Sequence, residues 1–457
     1  MNIIRRASAC KPAYLHQVVA GLLVLVLPLL VHPVMALEKG FSEEDKPWYA
    51  SSGLFEMLPD GGPNELSWMR RGRLTIGGWI DAGLTYNPAN PGDGFNGTVS
   101  FGDRSGAPQL NQTYFYLERP IDIQGESWDL GGRVDLLYGT DAAFTVASGD
   151  PQSHWDQNLG DGNSRFYQFA IPQLYLEGVV PIENGLVVKL GHFYTTLGNE
   201  SVMAPDNFFY SHSYMMQFGE PFTQSGFLAS YSPAEFLTIT AGTTTGSIIG
   251  GWDGGFDHNL EQWGFLGGVT WADGETSFSA NATHGIQDEN DGDWNLYSLI
   301  FHRDITETTH LTLQHDYGWA DKAVDNQTAE WYGIASYFSY DITSSLAVGV
   351  RGEWFRDDEG FRARSRPRIS AHTAAGGKSD LEAIPSLNDV GQLTGNTYYA
   401  ITAGLNWKPQ NWITIRPNIR YDWADQIQLF RCDDGNTPRN CADGSQWLLS
   451  TDLILMF

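Results

Sequence analysis

From residue 74 to the C-terminus, apolar and polar positions alternate with a period of two in about sixteen separate stretches. A strand turns successive side chains to opposite faces. The pattern therefore predicts strands over 74–86, 110–119, 128–138, 167–180, 185–196, 222–232, 235–244, 261–272, 275–285, 293–304, 308–320, 329–341, 345–356, 396–408, 412–424 and 446–457. In 396–408, Tyr399, Ile401, Ala403, Leu405 and Trp407 share one face, and Tyr398, Ala400, Thr402, Gly404 and Asn406 the other. In 412–424, Ile413, Ile415, Pro417, Ile419, Tyr421 and Trp423 oppose Thr414, Arg416, Asn418, Arg420 and Asp422. Pro172 and Pro417 fall inside strands, where proline cannot donate to the ladder, and bulges are expected at both.

The connections have a rhythm of their own. Tight turns at 181–184, 232–235, 272–275, 304–307, 341–344 and 408–411 alternate with the longer 87–109, 139–166, 197–221, 245–260, 286–292, 321–328, 357–395 and 425–445. Only 120–127 is of middling length. A soluble sandwich has no reason to gather its long loops at one end. A transmembrane barrel does, with short turns on the periplasmic side and long loops outside, and an even strand number returns both termini to the periplasm. The reading is all-β: a transmembrane, antiparallel, up-and-down β-barrel of about 16 strands over 73–457, preceded by a periplasmic or luminal segment at 37–72.

The final stretch carries a further mark. Trp447, Leu449, Thr451, Leu453, Leu455 and Phe457 lie on one face, with Leu448, Ser450, Asp452, Ile454 and Met456 behind them. An amphipathic strand ending on an aromatic residue resembles the assembly signal of bacterial outer-membrane barrels. At the other end, 1–36 reads as a signal peptide. Arg5, Arg6 and Lys11 precede the apolar run Val18 to Val31, and Val34-Met35-Ala36 offers a cleavage site. That run is shorter than the ~20 residues of a membrane-spanning helix and contains Pro28.

Composition agrees with a barrel in the outer membrane of a Gram-negative-type bacterium. Aromatics reach 13%, Gly numbers 51, and loss of the three basic leader residues takes the net charge from −27 to −30. The faces assigned to the interior carry Asp81, Glu118, Asp135, Glu177, Asp316, Glu353, Asp422 and Asp452, beside Arg73, Arg133, Lys189, Arg351, Arg416 and Arg420. These are near balance, so most of the acidity belongs to the loops and the N-terminal segment. Charges of this kind are costly in lipid and comfortable in a watery lumen, which points to a channel.

Over 74–285 the chain resembles the second β-barrel porin family, OmpL-like and frequent in Planctomycetes. The stretches that carry the resemblance are Gly131-Gly132-Arg133-Val134-Asp135-Leu136-Leu137-Tyr138-Gly139-Thr140-Asp141, Pro172-Gln173-Leu174-Tyr175 and Val188-Lys189-Leu190-Gly191-His192-Phe193-Tyr194. With them go Ala204-Pro205-Asp206-Asn207-Phe208-Phe209-Tyr210-Ser211-His212-Ser213-Tyr214 and Gly219-Glu220-Pro221-Phe222. The resemblance implies a water-filled barrel for passive diffusion of small hydrophilic solutes. An outer-membrane hydrolase, or a surface structural or adhesion barrel with a loop-closed pore, are the other readings.

Four further constellations bear on function. Ser211-His212-Ser213 beside Asn207 superficially resembles Ser–His–Asn chemistry, but a triad is defined by geometry and not by adjacency; a loop folded toward the lumen is expected instead. Asp288-Glu289-Asn290-Asp291-Gly292-Asp293 has the oxygen ligands calcium favours without an EF-hand pattern, so a solvated acidic loop is the plainer account. Arg362, Arg364, Arg366 and Arg368 share one face if extended and are candidates for a constriction, against a surface basic patch. Cys432 and Cys441 share the last long loop of an exported chain, and a disulfide between them is expected. His192, His284, His302 and His315 show no metal-ligand spacing, and no catalytic, cofactor or metal residue is assigned. The partners expected are outer-membrane lipid, the barrel-assembly machinery and small solutes or ions, with a homotrimer by fold analogy and no nucleic acid.

Overall fold

A computed structural model of the chain describes residues 53–57, 62–92, 94–123, 127–146, 167–182, 184–245, 263–286, 292–324, 326–363, 395–425, 430–432 and 441–457. Its strands are β1 (Thr75–Tyr86), β2 (Gln109–Arg119), β3 (Asp129–Gly139), β4 (Gln168–Ala170), β5 (Leu174–Val180), β6 (Leu186–Tyr194) and β7 (Thr223–Ala234). Then come β8 (Leu237–Thr245), β9 (Trp263–Ala272), β10 (Thr276–Ile286), β11 (Asp293–Thr306), β12 (Thr309–Val324), β13 (Gln327–Thr343) and β14 (Leu346–Asp357). The chain closes with β15 (Asn396–Gln410), β16 (Ile413–Ile415), β17 (Asn418–Ala424), the small hairpin β18 (Phe430–Cys432) and β19 (Cys441–Asp443), and β20 (Ser445–Met456).

Each barrel strand pairs antiparallel with its neighbours, and β1 pairs with both β2 and β20, so the sheet closes on itself. Two crossings are each made of two pieces, β4 with β5 and β16 with β17, which leaves the closed 16-strand barrel that the periodicity predicts. Closure matters physically: in hydrocarbon an unpaired backbone group costs several kcal/mol, and a barrel has no edge.

The two prolines behave differently. Between β3 and its partners one extra residue enters around Pro172, since Leu137 faces Ala170 while Val134 faces Leu174. This is a bulge. At Pro417 the expected bulge is absent. Across Pro417 the register is unbroken against both β15 and β20, the nearest shift lying between Trp407 and Gln410 toward the turn, and the proline's carbonyl still accepts from Leu405 N–H at 3.0 Å.

The rhythm of connections holds with one correction. The stretch 321–328 is mostly strand, because β12 and β13 extend past the register irregularity at Ala320 and leave two residues between them. The outer face is apolar, with Leu176, Ile401, Ile419, Leu449 and Leu453 all exposed. Rings form a chain at the long-loop end, Trp319–Tyr317–Tyr332–Trp354 and Tyr399–Trp423–Tyr421–Trp447, while Trp271, Phe278, Phe338 and Trp407 stand toward the short-turn end. This is the arrangement of an apolar band between two aromatic girdles.

The leader 1–36 lies outside the described residues, as does 37–52. Residues 53–57 and 62–72 form short turns and a helix (Ser67–Gly72) at the end of the barrel where the chain ends, with Phe55 edge-on to Phe457 at 5.4 Å. Arg73, read above as an inward base, instead follows that helix in a left-handed conformation and pairs with Asp129 at 2.7 Å on the short-turn rim.

Candidate functional site

The connection between β6 and β7 does not stand out in solvent. It runs through the lumen, and the inward faces of the strands hold it there. Thr195 N–H bonds the Phe222 carbonyl at 3.0 Å and closes its base. Gly198 and Asn199 N–H donate to Ser298 Oγ of β11 and Gln314 Oε1 of β12, at 3.3 and 3.2 Å. Gly198 has φ +83° and a Cβ there would sit 1.8 Å from Glu220 Oε2, so the close approach requires glycine.

Beyond this point the anchors are charged. Arg351 of β14 donates from Nη1 to Glu200 Oε1 at 2.8 Å and to the Ser211 carbonyl at 2.7 Å. Glu200 also receives Tyr337 Oη and the Ser213 N–H, each at 2.9 Å, and its Oε2 lies 2.9 Å from His212 Nδ1. Arg416 pairs with Asp452 of β20 and donates from Nη1 to the carbonyls of Ala204 and Asn207 at 2.6 and 2.9 Å. Arg420 joins Asp422 at 2.7 Å and Glu353 at 3.3 Å and also donates to the His212 carbonyl. Tyr214 completes the set, bonding Asp422 Oδ1 through its hydroxyl at 2.9 Å and Glu353 through its N–H. On β2, beyond β20 and β1, Gln112 Oε1 accepts from Ala204 N–H and Tyr210 Oη donates to Asn111 Oδ1. The segment thus reaches from β2 to β11, which stand on opposite sides of the closed sheet.

Titration follows from these contacts. Burial pushes the Glu200 carboxyl up, but Arg351, His212 and the Ser213 N–H together hold it down at about 2. Burial lowers the His212 imidazole despite Glu200 beside it. Glu220 is pushed well above the usual carboxylate range by burial and by Asp316 facing it, with Gln314 Nε2 donating to both carboxyls.

The interior-facing candidates are placed as follows. Asp81, Arg133, Asp135, Asp316, Arg351, Glu353, Arg416, Arg420, Asp422 and Asp452 are buried on the inner face. Glu177 and Lys189 are half-buried cross-strand partners, with the Lys189 ammonium 4.1 Å from the centre of the Tyr175 ring. Arg133 pairs with Asp135, and Tyr114 donates to that same carboxylate. The expectation of a lumen lined mainly by water and charge needs correcting. Tyr214, Met215 and Phe218 pack with Trp294, Leu296, Trp331, Phe355 and Tyr398 in an apolar cluster inside the barrel. Below the crossing segment a cavity of about 290 Å³ remains, bordered by Glu200, Asp206, Phe208, His302, His310, Tyr337 and Arg351.

Of the four arginines, Arg362 reaches the interior. Its guanidinium lies 5.3 and 5.1 Å from the Trp294 and Trp331 rings, and Nε donates to the Phe218 carbonyl at 2.7 Å. Arg364, Arg366 and Arg368 lie outside the described residues, as do 288–291 of the acidic run. The Ser211-His212-Ser213 trio serves as attachment points for Arg351, Arg420 and Glu200. Cys432 and Cys441 face each other in the register of β18 and β19. The residues that sequence reasoning passed over are Glu200, Gln112, Trp331 and Tyr337. A usable signal was present: a long connection holding Phe208, Phe209, Tyr210, Tyr214, Met215, Met216 and Phe218 is too apolar to be left in water.

Residues 73–457 match the model of a family described as beta-barrel porin-2, OmpL-like. OprB of Pseudomonas putida is similar in structure, with TM-score 0.53 and 12% identity over 92% of this chain and 100% of that one. OmpT, an outer membrane protein of Vibrio cholerae, gives 0.50 and 10% over 84% and 97%. The outer membrane channel DcaP of Acinetobacter baumannii gives 0.50 and 11% over 84% and 97%. At these identities the likeness speaks for the fold. None of the curated proteins matches the chain.

Proposed function

The chain belongs to the beta-barrel porin-2, OmpL-like family and is an outer-membrane porin, and from that premise we propose passive diffusion of small hydrophilic solutes and ions past a constriction formed by residues 195–222. The observation that supports this reading is the anchoring of that segment by Arg351 from β14 and by Arg416 and Arg420 from the β16–β17 crossing. A segment fixed in this way narrows the passage and places Glu200, Asp206 and Arg351 beside whatever passes. Planar-bilayer recording of the purified protein tests it. Steady ohmic current supports the porin; no current together with ester or peptide turnover would support a hydrolase.

A barrel shut by the segment is the second reading, favoured by the apolar cluster around Met215 and Phe218. Removing 204–218 separates the two. A constriction gives a measurable current that grows on deletion, whereas a closed barrel conducts only after it.

Several further features belong to the same reading. Cleavage after Ala36 yields the exported chain. The long-loop end faces outside, where Cys432 and Cys441 form a disulfide that stiffens the last loop. The barrel associates as a homotrimer, which cross-linking in native membranes tests.

A further inference from the structure

The hairpin of β11 and β12 brings together side chains that spacing along the chain does not. Asp304 faces His310 in the register, and His302 faces Thr312. His302 Nε2 lies 3.1 Å from Asp304 Oδ1, and His310 Nδ1 lies 2.5 Å from the same oxygen. One donor atom from each of the three residues falls within 4.8 Å of the others. We propose that His302, Asp304 and His310 bind a divalent transition metal of the zinc, copper(II) or nickel class at the short-turn mouth of the lumen.

Three observations carry this. The first is donor chemistry. Two imidazoles and one carboxylate suit these ions, whereas calcium and magnesium need more oxygens. With bonds of about 2.0–2.1 Å, donors around a tetrahedral zinc stand about 3.3 Å apart. The present separations, 3.1 and 2.5 Å to Asp304 Oδ1 and at most 4.8 Å between the two nitrogens, differ from this by no more than about 1.5 Å.

The second is the state of the outer ring nitrogens. A ligating imidazole gives one nitrogen's lone pair to the metal and carries its proton on the other, which needs an acceptor. His302 Nδ1 is 2.9 Å from Thr312 Oγ1, and His310 Nε2 is 3.3 Å from Asp341 Oδ2. Both rings are thus held with the metal-facing nitrogen turned toward Asp304.

The third is access. The side chains of His302, His310 and Asp304 are 38%, 29% and 34% exposed, and both histidines border the 290 Å³ cavity. An ion can arrive from water, and its remaining positions open onto the lumen.

The test is equilibrium binding on the folded, exported chain in detergent. Titration calorimetry with Zn²⁺ should show one ion per chain. His302→Gln and His310→Gln should each weaken binding at least tenfold, and Asp341→Asn by about tenfold, as loss of an outer-ring partner does. His284→Gln, on β10 near the long-loop end, should leave it unchanged. Electron paramagnetic resonance of bound Cu²⁺ should show coupling to two nitrogens in the unaltered chain. Lack of stoichiometric Zn²⁺ binding by the folded chain would overturn the site, as would unchanged affinity in both histidine variants. If the variants fail to fold, the Cu²⁺ spectrum of the unaltered chain decides, and absence of nitrogen coupling overturns the proposal. None of these readouts uses current, so failure of the channel reading would leave the result intact.

Discussion

Glu200 and Arg351 meet at 2.8 Å inside the lumen, one on the crossing segment and one on β14. Both are almost wholly buried, and a buried pair broken on one side leaves an uncompensated charge. With its carboxyl held at about 2, below the ~4.3 of an unfolded chain, Glu200 contributes stability that is complete above ~4.3 and lost as pH falls through about 2. Single-channel current should therefore be insensitive to this group from pH 5 to 8. Below about pH 4 it should become larger and noisier as the segment loosens. Glu200→Gln should show the same behaviour at pH 7. A trace that stays quiet down to pH 2.5 would show that the segment does not depend on this pair.

Arg420 tests the wall side of the same network. Its guanidinium is fully buried between Asp422, Glu353 and the Tyr214 ring, whose centre is 4.8 Å away. Replacing it with Met should cost roughly 3–5 kcal/mol, because buried Asp422 then loses the cation it pairs with and Glu353 keeps only Arg351, 3.4 Å away. Arg70→Met, which removes an exposed pair with Glu65, should cost under about 1 kcal/mol. Urea unfolding in lipid vesicles compares the two. Equal midpoints would mean that lumen water screens Arg420 as well as bulk water screens Arg70.

The contrast between these two residues also explains what the sequence could disclose. Period-two alternation is a local consequence of strand geometry, so Arg416, Arg420 and Asp422 could be set on one face from the sequence alone. What those residues bind is a matter of distant pairing. Nothing near Arg351 announces Glu200, which lies 151 positions away. His302 and His310 illustrate the same limit at short range. Their meeting depends on the register of one hairpin, which a turn only two residues long fixes in space but not in a spacing motif. Pro417 was misread for a related reason: a missing donor signals a local fault, yet both neighbouring strands hold the register on either side.

Phe457 closes the ladder as well as ending it. Its N–H donates to the Gly78 carbonyl at 2.9 Å, and its carbonyl accepts from Gly78 N–H at 3.1 Å. Deleting it removes both bonds and the ring that meets Phe55. Deletion, or replacement by Lys, should lower the fraction of heat-modifiable folded protein in outer-membrane preparations. Unchanged yield in both variants would show that the final residue is dispensable for assembly.

The long–short rhythm sets a test of orientation. An epitope inserted at Gly376, in the connection after β14, should be reached by antibody on intact cells, and one at Asn411, in a tight turn, should not. After reduction, Cys432 and Cys441 should take up a membrane-impermeant maleimide from outside, and without reduction they should not. Labelling at Asn411 alone would invert the barrel.

Ion preference sets two effects against each other. Without residues 1–36 the chain carries a net charge of −30, most of it outside the inner wall, and exposed charge acts over a Debye length of ~8–10 Å near physiological salt. An acidic mouth therefore concentrates cations. Arg362 opposes this from inside, since it sits against Trp294, Trp331 and the crossing segment. A charge in a narrow passage has less water to screen it than one in a wide vestibule. Net cation preference is expected, because Glu200 already neutralises Arg351 and the inner wall is slightly acidic. Reversal potentials under a salt gradient measure it. Changing Arg362 alone to Gln should increase cation preference, and changing Arg364, Arg366 and Arg368 as well shows whether they share the constriction. Anion preference in both the unaltered and the substituted protein would defeat the acidic-mouth argument.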